Sequence, residues 1–410
     1  MPPDTVASAA RTATPPPIRM TPLELRASIS LASIFGLRLL GMFSILPVFA
    51  LYASGLPGWD KTWIGIAMGI YGLTQAVLQV PFGWLSDRIG RKPVLYVGLG
   101  VFALGSFVCA MSTSVPGIVA GRMLQGAGAI SSVAVAMAAD LTRESQRTKA
   151  MALIGMTIGL AFALSFVLSP FLSSTIGVPG IFALTGGLAL IAIAVVNFVL
   201  PDAEIEIARE PVRWGRILGD QALMRLNVGI FALHAILMAM FVVVPFRLNE
   251  AGLAAADHWM LYLSVFALSV AFMLPVVRRD GGRDRGVFLG AVAGLAVSLL
   301  LLALLQHSLA GIAVSLVVFF TAFNILEAKL PALVSLAAPF GAKGSATGVY
   351  ASVQFLGVFA GGVLGGAVSQ RFGGVAVLWL CFFLALIWCF AAFGMRQAGN
   401  HAEAARVQDN

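Results

Sequence analysis

The sequence predicts an all-α membrane protein with twelve transmembrane helices, and three observations carry that prediction. The 410 residues are 59% hydrophobic and 11% charged, which is more apolar surface than one soluble core could bury. The apolar residues fall into runs of about 20 residues, the length of helix that crosses a bilayer. Charged residues, Gly and Pro separate these runs and mark short loops.

The twelve predicted helices are assigned from the N-terminus onward, and each ends where charge, Gly or Pro interrupts an apolar run. An even number of crossings puts both termini on one side of the membrane. The predicted spans are 27–53, 62–85, 94–112, 115–139, 150–173, 179–200, 225–248, 258–277, 287–306, 309–335, 345–370 and 373–395.

The polar segments divide the chain further. Residues 1–24 hold six prolines and no apolar run, so they are predicted to form a disordered cytoplasmic tail and not a signal peptide. Residues 201–224 carry both signs of charge and are predicted to be a cytoplasmic linker. This linker separates an N-terminal six-helix bundle, 25–200, from a C-terminal six-helix bundle, 225–396. A second cytoplasmic tail is predicted at 397–410.

Lys and Arg are unequally distributed between the two sides of the membrane. The termini and alternate loops hold 20 of the 26 basic residues, whereas the opposite loops hold only Lys61, Arg247 and Arg371. The positive-inside rule therefore predicts that both termini and the loop at 83–95 are cytoplasmic. The same distribution explains the formal net charge of +8 as a topology signal, so we expect no nucleic-acid partner.

Composition and motifs exclude several classes of protein. Cys109, Cys381 and Cys389 all lie in apolar runs, so they are predicted to be small buried side chains and not a disulfide, redox or metal framework. The sequence contains no G-x-x-x-x-G-K-[ST], H-E-x-x-H or G-x-S-x-G motif, so it predicts neither an ATP-driven pump nor an intramembrane hydrolase. We expect no enzyme activity, no metal and no cofactor.

Five ionisable residues lie deep inside apolar runs: Arg38, Arg122, His234, Glu327 and Lys329. They occur on predicted helices 1, 4, 7 and 10 alone. Charge is costly in lipid and normally faces protein or a water-filled cavity. The spacing therefore predicts a repeating three-helix unit with one cavity-lining helix in each.

The basic residues and the histidine each have a structural interpretation beside the functional one. Arg38 and Arg122 can pair with backbone carbonyls or with polar neighbours such as Gln125, or they can take part in proton coupling. His234 can bind a substrate or a proton, or it can be a core histidine with one satisfied hydrogen bond.

Helix 10 carries two charged residues that need different partners. Glu327 and Lys329 are two residues apart, so they project about 200° apart around the helix. Glu327 can be the proton-coupling group, because burial disfavours its charged form, or it can be a permanently paired carboxylate. Asn324 is a candidate hydrogen-bonding partner in the cavity. Lys329 is expected to extend its side chain toward the headgroups.

The loop GWLSDRIGRKPVL, residues 83–95, concentrates charge between two apolar runs. It matches every specified position of G-x-L-x-D-R-x-G-R-K-x-x-L and resembles the loop 2–3 signature of the major facilitator superfamily. A second stretch, GRMLQGAGA, contains Arg122 and Gln125 and is similar to the R-x-x-Q-G-x-G-A pattern of proton-coupled members.

The resemblance extends to the YajR-type inner-membrane transporters through FGLRLLGMFSILPV, DLTRESQRTKAMALIG and TGVYASVQFLGVFAGG, and it covers essentially the whole membrane portion. Only a short polar segment follows Arg396, so the soluble C-terminal domain of that group is expected to be absent. The helix 5 motif of drug antiporters is partly kept, with Gly155, Gly159 and Pro170 but without a Gly-Pro pair.

The resemblance implies a cytoplasmic gate at the 83–95 loop. Gly83 would allow close approach to predicted helix 11, which begins near Gly344, and Asp87 would cap the positive end of that helix. Asp140 and the loop cations would stabilise the state in which the cytoplasmic side is shut. The gate residues are Gly83, Asp87, Arg88, Gly90, Arg91, Lys92 and Asp140.

The function that the resemblance implies is secondary active transport of small molecules across the bacterial inner membrane, by alternating access between the two bundles of a major facilitator fold. Proton-coupled efflux is expected. Metabolite uptake or export is the alternative, and a non-transporting membrane sensor is less favoured. The expected partners are a small-molecule substrate, protons and membrane lipids, and the chain is expected to be a monomer.

Overall fold

The computed structural model describes residues 19–202, 214–280, 285–338 and 343–393. These residues form α-helices joined by turns and one short 3-10 helix, which confirms the all-α prediction. The predicted C-terminal tail, most of the predicted N-terminal tail and the centre of the predicted linker lie outside the described residues.

Local sequence sets the ends of the helices in the N-terminal half. The Thr21 hydroxyl accepts from the Glu24 amide while the Glu24 carboxylate accepts from the Thr21 amide, which is a capping box. Asp60 and Ser114 cap later helices through a side-chain oxygen. Gly90, with φ of 102°, makes the turn between two helices. The helices are α1 (Pro22–Phe43), α2 (Leu46–Ala53), α3 (Lys61–Ile89), α4 (Arg91–Met111), α5 (Val115–Ala127), α6 (Ser131–Asp140) and α7 (Glu144–Phe198).

Helix α7 contains two membrane crossings. Its 55 residues would extend about 80 Å as a straight helix, whereas the hydrocarbon core of a bilayer is roughly 30 Å thick. Gly177 breaks the helix with a non-helical φ of 71°, and Pro179 follows. The two parts, 144–176 and 178–198, correspond to predicted helices 5 and 6.

The C-terminal half completes the twelve predicted crossings. Among the described residues, eleven helical stretches are long and apolar enough to cross a membrane, and α7 counts twice. Predicted helices 1 and 4 are each interrupted, at 44–45 and at 128–130, where the residues are not helical. The remaining helices are α8 (Trp214–Leu218), α9 (Gln221–Glu250), α10 (His258–Asp280), α11 (Arg285–Leu305), α12 (Leu309–Ala337), α13 (Lys343–Phe372) and α14 (Gly374–Phe393).

The helices run in alternating directions, so hydrogen bonds identify the residues that share each end of the molecule. We call the end that carries the 83–95 loop the motif end. There the start of α4 bonds the end of α6 through Arg91 and Asp140. At the other end, called the opposite end, the Lys61 amide at the start of α3 donates to Gln370 of α13.

Helices α3 and α13 touch near the opposite end and join the two halves of the chain. A Cβ on Gly69 would lie 2.8 Å from the Phe359 carbonyl oxygen, and one on Gly65 would lie 2.9 Å from the Cα of Gly366. Real Cβ atoms do not approach a backbone this closely, so glycine is what permits the contact.

Aromatic rings from both halves fill the interior near the opposite end. The ring of Phe166 in α7 lies 5.6 Å from that of Phe241 in α9 and 5.4 Å from that of Tyr262 in α10, measured between centroids. Phe162 lies 6.2 Å from Phe323 of α12 and stacks on it. These ring contacts close the path between the halves at this end.

The close α3–α13 contact does not continue to the motif end. Cβ atoms on Gly344 and Gly348, in the first turns of α13, would meet no described atom within 4 Å. The same holds for Gly155 and Gly159 on α7. Among the described residues, the glycine contacts that join α3 to α13 therefore lie near the opposite end.

Candidate functional site

Two polar clusters lie beside the α3–α13 contact, one in each half of the chain. The Arg38 cluster consists of Arg38, Tyr71, Gln75 and Ser131. The Glu327 cluster consists of His234, Glu327 and Gln354, together with Tyr350, which lies one turn before Gln354 on the same face of α13. The rings of Tyr71 and of Phe355, the residue after Gln354, have centroids 6.1 Å apart. The clusters are therefore neighbours across the contact.

The Arg38 side chain is held entirely within the N-terminal half. It is 1% exposed, and its Nη2 donates to the Tyr71 hydroxyl at 2.9 Å, to Gln75 Oε1 at 2.8 Å and to the Gly128 carbonyl at 3.0 Å. Its guanidinium carbon lies 4.9 Å from the ring centroid of Phe102. Among the described residues no carboxylate pairs with it, so dipoles and a ring stabilise this buried cation.

Arg122 of α5 is also bound inside the N-terminal half. Its Nη1 donates to Gln125 Oε1 at 2.9 Å and its Nε to the Ala67 carbonyl at 3.2 Å, and Gln125 in turn donates to the Ser106 hydroxyl at 2.8 Å. The Tyr71 ring lies 5.0 Å from the Arg122 guanidinium carbon, so this ring contacts both arginines. The structure does not bring either arginine to Glu327.

The Glu327 cluster joins α9, α12 and α13. His234 Nε2 lies 3.8 Å from Glu327 Oε2 and 2.8 Å from Gln354 Nε2, and Gln354 also donates to Glu327 Oε1 at 3.4 Å. His234 Nδ1 lies 3.3 Å from the Ile230 carbonyl oxygen. Because a carbonyl can only accept, this network assigns the proton to Nδ1 and leaves Nε2 as the acceptor from Gln354 in the neutral ring.

Two atoms of this cluster lack a hydrogen-bonding partner among the described residues. They are Glu327 Oε2 and the Tyr350 hydroxyl oxygen, and both atoms are buried. The Glu327 side chain as a whole is 38% exposed. A buried polar atom without a hydrogen-bonding partner is costly, so these two atoms are candidates for binding a proton, a water molecule or a ligand.

The other two polar residues predicted on helix 10 lie elsewhere. Asn324 donates to the Ser269 hydroxyl of α10 at 3.4 Å and is not a member of the Glu327 cluster. Lys329 is 5% exposed. The expectation that its side chain extends toward the headgroups is therefore wrong, because the structure buries it against neighbouring helices.

A charged cluster occupies the motif end of the N-terminal half. Arg91 Nε lies 2.8 Å from Asp140 Oδ2, and Arg91 Nη1 donates to the Ser86 hydroxyl at 2.7 Å and also pairs with Asp87. Lys92 pairs with Asp202 at 2.7 Å. Arg91 is therefore the centre of this cluster and ties the end of α3 to the end of α6.

The gate expected between this cluster and α13 is not formed in this conformation. A Cβ on Gly83 would lie 3.4 Å from the Ser132 hydroxyl oxygen of α6, in its own half. Among the residues that the structure describes, the ion-pair partner of Asp87 is Arg91, also in the N-terminal half. Arg88 lies over the Trp84 ring, 3.9 Å from its centroid.

A second ion pair at the motif end was missed by reasoning from sequence. Glu24 accepts from Arg143 Nε and Nη2 at 2.8 Å each and from the Arg143 amide at 2.9 Å. Hydrogen bonding to this carboxylate raises the pKa of Arg143 above its usual value. The capping box at Thr21 placed Glu24 in the first turn of α1, but local sequence does not reveal a partner so distant in the chain.

The sequence carries one signal for the tyrosines of the two clusters. Residues 69–75 read GIYGLTQ and residues 348–354 read GVYASVQ, so both α3 and α13 contain G-x-Y-x-x-x-Q. Tyr and Gln four residues apart lie on one helix face. This repeat identifies Tyr71 and Tyr350, which were not predicted, as equivalent members of the two clusters.

Comparisons with known proteins agree with this architecture. The family model described as Major Facilitator Superfamily matches residues 31–362. Inner membrane transport protein YajR of Escherichia coli (strain K12) is 42% identical over 92% of this chain and 85% of its own length. Multidrug resistance protein MdtH of Aeromonas hydrophila subsp. hydrophila is 26% identical over 81% and 85% of the two chains. The crystal structure of a D-xylose-proton symporter shares the fold, with a TM-score of 0.71 and 16% identity over 90% of this chain and 98% of that one.

Proposed function

We propose a function from the premise that this chain belongs to the Major Facilitator Superfamily and is a membrane transporter. The activity proposed is efflux of small molecules across the inner membrane in exchange for protons. The observation that carries it is the Glu327 cluster, where Glu327 Oε2 lies 3.8 Å from the imidazole of His234 and has no hydrogen-bonding partner among the described residues.

The cluster can bind a proton in two ways. A proton on Glu327 Oε2 would let the carboxyl donate to a ligand or a water molecule in the cavity. A proton on His234 Nε2 would displace the Gln354 amide and turn that nitrogen into a donor to Glu327. Either event changes the charge that a substrate meets, and that change is what exchange of a substrate for a proton requires.

The conformation is consistent with substrate entry from the cytoplasm. The motif end carries most of the Lys and Arg, so we place it on the cytoplasmic side. The α3–α13 contact and the aromatic rings close the opposite end. Alternating access then requires the motif end to close while the opposite end opens.

Asp87 is the residue that we propose to act in that closure. Its side chain is 45% exposed and pairs with Arg91, which retains Asp140 as a second partner. Asp87 can therefore leave Arg91 without leaving that cation unpaired. In the closed state it would cap the positive end of α13, where the backbone amides of the first turn are unsatisfied.

Glu327→Gln tests the proposed coupling. The transported probe is chosen as the compound from a panel of amphipathic dyes that raises the Tm of the purified protein most. In liposomes with an imposed pH gradient, wild type should accumulate this dye. Glu327→Gln should still exchange dye for dye but should lose gradient-driven accumulation, because the amide cannot bind a proton.

Glu250→Gln is the matched control. Glu250 is an exposed carboxylate at the opposite end that pairs with Arg247 at 2.6 Å, so its replacement should leave accumulation unchanged. Undiminished accumulation by Glu327→Gln would remove this residue from the mechanism. A large fall in Tm would instead identify a permanent structural pair, and accumulation with the gradient reversed would show uptake.

A further inference from the structure

A groove of about 490 Å³ lies between α10 and α11, and α12 forms its floor. Phe272 and Val276 line the α10 wall, and Gly290 and Gly294 line the α11 wall. The only hydroxyl in the lining described is that of Thr321, and it donates at 2.7 Å to a carbonyl one turn earlier in its own helix. The groove therefore offers an apolar surface with no unpaired side-chain donor.

Glycines on α11 create the space. A Cβ on Gly290 would meet no atom within 4 Å, and a Cβ on Gly294 would lie in ordinary contact, 3.6 Å from the Cβ of Ala322. Larger residues at these positions would project into the groove and fill it. The volume therefore results from missing side chains and not from a break in the helix backbones.

The groove is separate from the proposed transport site. Val318, Ala322 and Ile325 line it and share one face of α12. Glu327 follows Ile325 by two residues and so projects about 200° away around the helix. A molecule in the groove would therefore lie behind the Glu327 cluster and not in it.

The groove lies at the surface of three membrane-crossing helices. α10, α11 and α12 are each long and apolar enough to cross a bilayer, and Phe272, on the groove wall, is 58% exposed. In a membrane this surface meets hydrocarbon and not water. An apolar groove at this depth is suited to a lipid acyl chain.

Two arginines lie where the groove reaches the motif end. Arg279 follows Val276 by three residues and so continues the groove face of α10, and Arg278 is its neighbour. Both are exposed. Arg285, across the groove at the start of α11, is instead turned toward α14, where it donates to the Phe393 carbonyl.

We propose that this groove binds an anionic phospholipid, with one acyl chain between α10 and α11 and the phosphate at Arg279 and Arg278. The apolar walls match the chain, and the arginines match the charge of the headgroup. The side chains of Arg278 and Arg279 are long enough to reach the headgroup level from the end of α10.

Native mass spectrometry of the full chain tests this proposal, with phosphatidylglycerol and phosphatidylcholine as probes at equal concentration. Wild type should retain one phosphatidylglycerol molecule in preference to phosphatidylcholine. Arg278→Gln/Arg279→Gln should weaken phosphatidylglycerol binding roughly tenfold or more, because each arginine near a charged headgroup contributes on the order of a fewfold in affinity. Gly290→Leu should abolish retention of the lipid by filling the groove.

Two matched controls separate the groove from general effects. Gly100→Leu adds the same side chain at a glycine of α4 that also has no atom within 4 Å, and it should retain the lipid. Arg147→Gln/Lys149→Gln removes the same charge from the motif end of the other half and should keep the preference.

Three results would overturn the proposal. Equal retention of both lipids would show that the headgroup is not recognised, and unchanged binding by Gly290→Leu would show that the groove is not the site. Displacement of phosphatidylglycerol by the transported dye would show that the groove binds the substrate and not a lipid.

Discussion

The Arg38 cluster and the Glu327 cluster are built on the same pattern and reach different states. In each, a Tyr and a Gln four residues apart project from α3 or α13, the helices that join the two halves. Arg38 Nη2 has three acceptors within 3.0 Å, whereas Arg38 Nε has no hydrogen-bonding partner among the described residues. In the other cluster, the Tyr350 hydroxyl and Glu327 Oε2 have no partner among the described residues.

The difference follows from the chemistry of the charged residue. A guanidinium keeps its charge and its five donors under all ordinary conditions, so once buried it needs permanent acceptors. A carboxylate beside an imidazole can change its number of protons, and its best set of partners changes with it. We therefore propose that one half contains a fixed polar core, and that the other contains a polar site that a ligand or a proton can complete.

The largest effect that separates the clusters is expected from removing their charged residues. Arg38→Met leaves Tyr71, Gln75 and the Gly128 carbonyl without their shared donor and should lower the free energy of unfolding by about 3 kcal/mol. Glu327→Gln keeps the shape and the amide can still accept from Gln354, so its cost should be below about 1 kcal/mol. Thermal unfolding of the purified variants in one detergent compares them directly.

Arg38→Lys sharpens this comparison, because lysine keeps the charge but lacks the planar guanidinium that also donates to Ser131 and lies over the Phe102 ring. Its stability should fall between those of wild type and Arg38→Met. If Arg38→Met unfolds no earlier than Glu327→Gln, the Arg38 cluster is not the fixed core that we describe.

The next largest effect on stability is expected at the glycines that begin the two G-x-Y-x-x-x-Q repeats. A Cβ on Gly69 would lie 2.8 Å from the Phe359 carbonyl oxygen, so Gly69→Ala must push α3 away from α13 and should cost about 2 kcal/mol. Gly348 meets no atom within 4 Å, so Gly348→Ala should be neutral or stabilise by up to about 1 kcal/mol through helix propensity.

Cross-linking adds a conformational measurement to this pair. A disulfide introduced between the ends of α3 and α13 at Thr62 and Ser369 should form more slowly in Gly69→Ala than in Gly348→Ala, because only the former separates the helices. Equal rates and equal stabilities would show that the α3–α13 contact does not depend on glycine at position 69.

Hydropathy and helix-breaking residues predicted most of the fold but little of the candidate functional site. The length of apolar runs is a property of the chain itself, so the twelve crossings follow from sequence, including the two within α7. The interruptions at 44–45 and 128–130 do not follow, because the apolar pattern continues through them. The break at 128–130 has a consequence for the site, since the Gly128 carbonyl there accepts from the Ile130 amide and also from Arg38.

The intramembrane charges show where prediction from sequence ended. The cost of placing a charge in lipid identified Arg38, Arg122 and Glu327 as candidate residues, but it did not show which of them contact one another. Helical periodicity determines the face of a helix on which a residue lies, and it does not determine how that helix packs against another helix. In this conformation the partners of Glu327 are His234 and Gln354.

The smallest effect, and the most discriminating one, is expected from the two tyrosine hydroxyls. Tyr71→Phe removes an acceptor that Arg38 uses at 2.9 Å and should cost about 1 kcal/mol of stability. Tyr350→Phe removes a buried hydroxyl that has no described partner, so the ligand-free protein should lose nothing measurable. Melting curves of the two variants without ligand test this half of the prediction.

The second half concerns binding of the transported dye, where the order of the two variants should reverse. If the Tyr350 hydroxyl donates to or accepts from the bound ligand, Tyr350→Phe should weaken the affinity for the dye about fivefold. This is the equivalent of one hydrogen bond of about 1 kcal/mol. Tyr71→Phe should leave the affinity unchanged, because its hydroxyl is already used by Arg38. Dye titrations by fluorescence measure both constants. A Tyr350→Phe protein that binds the dye as wild type does would show that the unpaired hydroxyl is not part of the binding site, and the incomplete cluster would then have to be explained by proton binding at Glu327 and His234 alone.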